Sequence, residues 1–252
     1  MTQQSNIQHL KNIRIVLVNT SHPGNIGAAA RAMKNMGLSR LYLVQPKEHP
    51  TMEAYRRSAG AHDVLDDAVI VGDLSQALTG CAWVAGTSAR LRTIEWPVLE
   101  PRECVQQSTD YLVQGEVAIV FGRENSGLTN SELEKCNVLL HIPTNPDYSS
   151  LNLAAAVQVV CYEFRLTLLH DKQIRQKGKK HREDAVAASD QLDGLYQHLY
   201  EALDGIGFFG TNTPDVVMRR LKGLFNRSNT TQREVGILRG VCSAIQAKKR
   251  CS

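Results

Sequence analysis

The chain has 252 residues, 42% hydrophobic and 21% charged, and a formal net charge of +4, enough for one or two domains with proper cores. No apolar run approaches the roughly 20 residues that span a bilayer, and the polar residues 1–12 lack a signal core. Six scattered cysteines form no C-x-x-C pair and eight histidines show no ligand spacing, which argues against a disulfide framework or a structural metal and favours a cytoplasmic protein with reduced thiols.

Charge is uneven along the chain. Residues 1–169 hold 14 Lys/Arg against 16 Asp/Glu, whereas residues 170–252 hold 15 against 9. The basic carboxy-terminal third therefore favours an anionic partner, with nucleic acid the first candidate.

In chain order, residues 13–18 read as a buried strand rich in β-branched side chains. Ser21-His22-Pro23-Gly24-Asn25 is a turn, with Asn25 a candidate cap. A helix follows from Ile26, with Ala28, Ala29, Ala32, Met33 and Met36 spaced for a buried face, and ends at Gly37. Further strands are expected at 41–44, 68–71, 81–85, 117–121 and 138–142. They alternate with helices near 52–59, 74–78, 101–112 and 130–135. Such alternation predicts an α/β fold, a mostly parallel sheet with helices on both faces. Cys81, Cys136 and Cys161 adjoin apolar runs and are read as core residues. Ser149 or Ser150 is expected to cap a long amphipathic helix over 151–169. Residues 172–182 then carry six Lys/Arg and no acid, a solvated linker or arm. Beyond it lie three helical segments. Leu192, Leu195, Leu199 and Leu203 share a face of the first, Thr213-Pro214 opens the second, and 230–246 forms the third with Val235, Leu238, Val241, Cys242 and Ile245 inward. So small an all-α module needs something to dock on.

Four polar or glycine-rich turns follow strands. Gly24-Asn25-Ile26-Gly27 lacks the G-x-G-x-x-G spacing of a dinucleotide fingerprint, and the second strand ends Val44-Gln45-Pro46 without a ribose-binding acid, which disfavours a nicotinamide oxidoreductase. Arg31, flanked by alanines and expected one turn into the helix, is placed to grip phosphate. Gly86-Thr87-Ser88-Ala89-Arg90-Leu91-Arg92 pairs small residues with two cations. Phe121-Gly122-Arg123-Glu124 follows another strand, where Gly122 would admit close approach of a ligand. Ile142-Pro143-Thr144-Asn145-Pro146-Asp147-Tyr148-Ser149-Ser150-Leu151-Asn152 precedes the long helix.

In order and separation, Asn25-x-Gly27-x-x-x-Arg31, Phe121-Gly122-Arg123-Glu124-x-x-Gly127-Leu128 and Ser149-Ser150-Leu151-Asn152-Leu153-Ala154 resemble the three motifs of the SPOUT class of RNA methyltransferases. The resemblance covers residues 13–169, and the wording is similar to TrmJ-type tRNA 2′-O-methyltransferases. It implies a trefoil-knotted methyltransferase domain over 1–169, a basic linker over 170–188 and a helical tRNA-binding module over 189–252, working as a homodimer. It implies S-adenosylmethionine as cofactor, held by Thr87, Ser88, Ala89, Gly122, Ile142, Ser149, Ser150, Leu151 and Asn152. Catalytic roles fall on Arg31, Ser150 and Asn25, with Arg31 reaching from one protomer to the cofactor of the other. Arg31, Arg90, Arg92, Arg123, Lys172, Arg175, Lys179 and Lys180 are expected to meet RNA, while Arg123 and Glu124 are expected to hold neighbouring loops or the substrate by charge-assisted bonds. The implied target is the pyrimidine ribose at position 32 of the tRNA anticodon loop. Another tRNA or rRNA position, or an RNA-binding relative without activity, is the alternative.

Overall fold

The computed structural model describes residues 6–48, 51–89, 96–170, 185–210 and 213–250. Among these, seven strands form one parallel sheet: β1 (Ile13–Val18), β2 (Arg40–Val44), β3 (Val69–Val71), β4 (Cys81–Thr87), β5 (Val98–Leu99), β6 (Glu116–Phe121) and β7 (Val138–Leu140), in the order β3-β2-β1-β6-β4-β7-β5. The short β5 escapes pattern reading because two residues carry no periodicity. β7 stops at Leu140 rather than 142, where the chain turns toward Pro143.

Side chains alternate with the pleat. Ile13, Ile15 and Leu17 of β1, with Val117, Ile119 and Phe121 of β6, face one layer; Val16, Val18, Ala118 and Val120 face the other. The first layer is built by α1 (Pro23–Met36), α2 (Met52–Ser58), α3 (His62–Asp66), α5 (Pro101–Leu112) and α7 (Leu153–His170). The second uses α4 (Leu74–Leu78), Trp96, Leu128 and, from α6 (Asn130–Leu133), Leu133. Cys81, Cys136 and Cys161 are buried, as are Cys104 and Cys242. α7 is long and apolar enough to be a candidate membrane span. Its Val157, Val160, Phe164 and Leu168 instead close the first core, as in the central helix of a folded domain.

Among the helices packed on the sheet, two starts differ from expectation. α1 begins at Pro23, not Ile26, because Pro23 suits the first helical turn and the His22 side chain caps it by accepting from the Gly24 amide at 3.1 Å. Asn25 is therefore inside the helix and is not its cap. α7 begins at Leu153, and its capping contact comes from Asn152, which accepts from the Ala154 amide at 2.9 Å, rather than from Ser149 or Ser150.

The carboxy-terminal helices are α8 (Ser189–Gly205), α9 (Pro214–Arg227) and α10 (Gln232–Arg250). Leu192, Leu195, Tyr196, Met218 and Val235 form their core. Val241, expected inward, is 51% exposed, because α10 packs on α8 through the face bearing Val235 and the buried Cys242. The module docks on the second layer: α8 contacts α4 and β4, and Asp190 accepts from the Gly80 amide at 3.0 Å.

Candidate functional site

β1, β6, β4 and β7 are neighbours in the sheet and parallel, so the loops after all four leave at one edge. That carboxyl edge is where open α/β sheets bind ligands. After β6 the chain folds back on itself: the Arg123 amide donates to the Gly127 carbonyl at 3.2 Å and the Gly127 amide returns a bond at 2.9 Å. A Cβ on Gly122 would lie 2.2 Å from the Gly127 carbonyl carbon. Gly122 is thus required by this fold-back, and it also lines the cleft. Gly27 is similar: a Cβ there would meet the Ala54 carbonyl oxygen at 2.0 Å, so the glycine lets α2 pack against α1.

Arg123 holds the fold-back in place. Its Nη1 and Nη2 each reach a different Glu132 oxygen at 3.0 Å, and Nη2 also donates to Asn19 Oδ1. Glu132 additionally accepts from the Thr129 amide at 2.7 Å, completing a capping box on α6. Burial would raise the Glu132 carboxyl, but bonds from Arg123 and Thr129 outweigh it and hold it below the ordinary range. The guanidinium expected on RNA is committed to this loop.

Glu124 joins the loops. Its carboxylate accepts from the Ser21 hydroxyl at 3.0 Å, the Ser21 and His22 amides at 3.2 and 3.4 Å, and Asn25 Nδ2 at 3.0 Å. Asn25 Oδ1 in turn accepts from Asn152 Nδ2 at 3.0 Å. All three motif loops are tied by this one chain of bonds. Burial pushes the Glu124 carboxyl up, but hydrogen bonds from Asn25 and Ser21 reverse this and hold it below the usual carboxylate range.

Beside this chain of bonds, with Glu124 on its lining, lies a cleft of about 480 Å³, within the roughly 300–1,000 Å³ of small-molecule sites. Thr87, Ser88 and Ala89 line it after β4; Ile142, Ser149, Ser150 and Leu151 line it before α7. Leu128, Leu133, Leu140 and Leu153 supply an apolar wall. This mixture suits a flat nucleoside with a polar tail. Thr87 Oγ1 donates to the Val120 carbonyl at 3.0 Å, and Thr144 Oγ1 to the Ser149 carbonyl at 3.2 Å. His141 Nδ1 lies 3.0 Å from the Ser88 carbonyl, pinning the loop after β4 to β7.

Asn152 does not line the cleft; it joins the cap of α7 to Asn25. Arg31 is exposed, roughly two turns along α1 instead of one, and outside the residues lining the cleft. Because the helix starts earlier than its apolar pattern, the cation stands away from the exposed first-turn amides. Arg90, Arg92, Lys172, Arg175, Lys179 and Lys180 lie outside the described residues. Reading from sequence missed Asn19, Glu132 and His141; of these only Glu132 had a local signal, the spacing Thr129-x-x-Glu132.

Residues 12–162 match the model of the SpoU rRNA Methylase family, and residues 190–252 match the C-terminal domain of the tRNA methyltransferase TrmJ. The chain belongs to the SpoU methylase family. It is 51% identical over 237 residues to the tRNA (cytidine/uridine-2′-O-)-methyltransferase TrmJ of Sodalis glossinidius, covering 94% of this chain and 92% of that one. It is 49% identical over 247 residues to the tRNA (cytidine/uridine/adenosine-2′-O-)-methyltransferase TrmJ of Pseudomonas aeruginosa, covering 96% of each. The crystal structure of TrmJ from Z. mobilis superposes with a TM-score of 0.81 at 32% identity, covering 92% of this chain and 98% of that one. The protein is thus a methyltransferase with the SPOUT-type α/β fold and a helical carboxy-terminal module.

Proposed function

We propose that this protein transfers a methyl group from S-adenosylmethionine to the ribose 2′-hydroxyl of nucleotide 32 in the tRNA anticodon loop, accepting cytidine and uridine. The observation that carries the reading is the relay from Asn152 through Asn25 to Glu124, which ties the three motif loops beside a cleft of nucleoside size. Relatives named as tRNA 2′-O-methyltransferases along nearly the whole chain support the substrate class. Indifference to the base is chemically reasonable, since the base edge does not react.

S-adenosylmethionine supplies an electrophilic methyl on a sulfonium that is already a good leaving group. The protein's work is then orientation and help with proton loss. Thr87, Ser88 and Ala89, together with Ile142, Ser149 and Leu151, would hold the cofactor in the cleft they line. Ser150, exposed at the cleft, hydrogen-bonds the reacting ribose, and Asn25 with Glu124 keeps its loop in register. Arg31 stays charged at neutral pH and cannot be the base; it anchors the neighbouring phosphate and favours the developing alkoxide, while phosphate or water takes the proton.

Arg31 lies outside its own cleft, which supports its serving the cleft of a second copy in a homodimer. The knot implied by the resemblance belongs to the same reading, as does the division into a methyltransferase domain (1–169), a linker (170–188) and a tRNA-binding module (189–252). The basic residues 172–182 and the module hold the tRNA body through phosphates. Arg123 is left out of the RNA surface because Glu132 and Asn19 hold it.

Arg31→Ala tests the assignment. Calorimetric titration with S-adenosylmethionine is expected to remain within about two-fold of wild type, while turnover on tRNA falls by roughly a hundred-fold or more, the scale of losing a charge-assisted contact at the transition state. Equal loss of both would make Arg31 structural.

A further inference from the structure

Six consecutive residues, 132–137, serve two sides of the molecule. Glu132 clamps Arg123 of the cleft loop, and Leu133 forms part of the cleft wall. The next residue faces the other way. The Glu134 carboxylate pairs with Arg219 of α9, and its carbonyl accepts from Asn226 Nδ2 at 2.8 Å. Lys135 reaches Asp193 of α8 at 3.3 Å. The Cys136 carbonyl accepts from Trp96 Nε1 at 3.1 Å. Asn137 Oδ1 accepts from the Val84 amide at 2.8 Å while its Nδ2 donates to the Asn226 carbonyl at 3.0 Å.

Asn226 is 5% exposed. Its side-chain oxygen accepts from the Tyr196 hydroxyl at 2.7 Å, its side-chain nitrogen reaches Glu134 and its carbonyl is taken by Asn137. Separating the module from 134–137 would break these bonds and hand their groups to water. The contacts at 134–137 are polar, and polar contacts between domains permit relative motion. Docked, the module holds the far end of the segment whose near end shapes the cleft.

We propose that residues 132–137 couple the two ends of the protein: tRNA held by α8, α9 and α10 keeps the module docked, orders the cleft and tightens its grip on the nucleoside cofactor. Asn226 and Arg219 are positioning residues in this device, acting on the cleft through Glu134 and Asn137. The inference rests on the reading of the module as the tRNA-holding part. Because coupling between two bound ligands is reciprocal, a filled cleft must tighten tRNA binding by the same factor.

The test uses the full chain, with S-adenosylhomocysteine as probe so that no turnover intervenes, titrated calorimetrically with and without saturating unmodified tRNA transcript. In the wild type, tRNA is expected to tighten the probe by about five-fold or more, and the probe to tighten tRNA equally. In Asn226→Ala the factor falls to about one, while probe affinity without tRNA stays within about two-fold of wild type. Arg219→Ala, at a half-exposed side chain that leaves the helix core intact, lowers the factor part-way and covers the case in which Asn226→Ala does not fold. A wild-type factor of one with tRNA bound overturns the coupling alone, as does an unchanged factor in both variants. Failure of the whole chain to bind tRNA overturns the tRNA reading and this inference with it.

Discussion

Glu124 faces only donors: one hydroxyl, two backbone amides and the Asn25 side-chain nitrogen. A carboxylate satisfies all of them, whereas a glutamine would turn its own NH₂ toward at least one. Glu124→Gln is expected to weaken cofactor binding about ten-fold, the low end for a hydrogen bond to a charged group, as read by calorimetric titration. Its folded-state pKa is depressed below the ordinary value of 4.5. The stabilisation is therefore fully present above that value and is lost as pH falls through the lower folded-state value. Thermal melts from pH 7 downward should show an acid limb in the wild type that is shallower in Glu124→Gln; matching limbs would remove Glu124 from the argument. The sequence showed Asn25, Glu124 and Asn152 as members of separate motifs. It did not show that they bond to one another, because the Asn25–Glu124 and Asn25–Asn152 pairs are 99 and 127 residues apart and no local pattern spans such distances. Gly122 teaches the same lesson: its place in a motif was legible, but its cause is the returning backbone at Gly127.

At the scale of elements, strong periodicity and local capping were readable while helix starts were not. α4 and α5 fall where the sequence put them, because each combines a good start with an apolar face. The starts of α1 and α7 were misplaced by two or three residues, since His22 and Asn152 cap through single side-chain bonds that hydrophobic spacing does not report. Asn152 permits a clean separation of its two tasks. Asn152→Ala removes both the cap and the bond to Asn25; it is expected to cost about 1 kcal/mol, or roughly 2–4 °C in Tm for a chain of this size, and to lower activity. Asn152→Asp keeps an acceptor for the Ala154 amide at a helix amino terminus, where negative charge is favourable, but sets oxygen against Asn25 Oδ1. That variant should melt close to wild type yet still lose activity on tRNA. If it melts normally and turns over normally, the Asn152–Asn25 link has no functional role.

For the whole molecule, alternating strands and helices disclosed a parallel sheet, but not the order that brings the ends of β1, β6, β4 and β7 side by side. That order is set by long-range pairing, and it turns four separated loops into one cleft. It also leaves Arg31 on an exposed part of α1 outside that cleft, so the arginine and the Asn152 relay can be scored separately. Co-expressed chains carrying Arg31→Ala or Asn152→Asp would form mixed dimers. If Arg31 serves the partner's cleft, each mixed dimer has one site with both residues intact, opposite one site with neither. Random pairing in equal amounts should then restore about a quarter of wild-type turnover, from half the dimers working at one of two sites. If Arg31 serves its own cleft, every site in every dimer lacks one residue and turnover stays at the level of the single variants. Purified mixed dimers carrying two different affinity tags, assayed for methyl transfer to tRNA, would decide between the two arrangements.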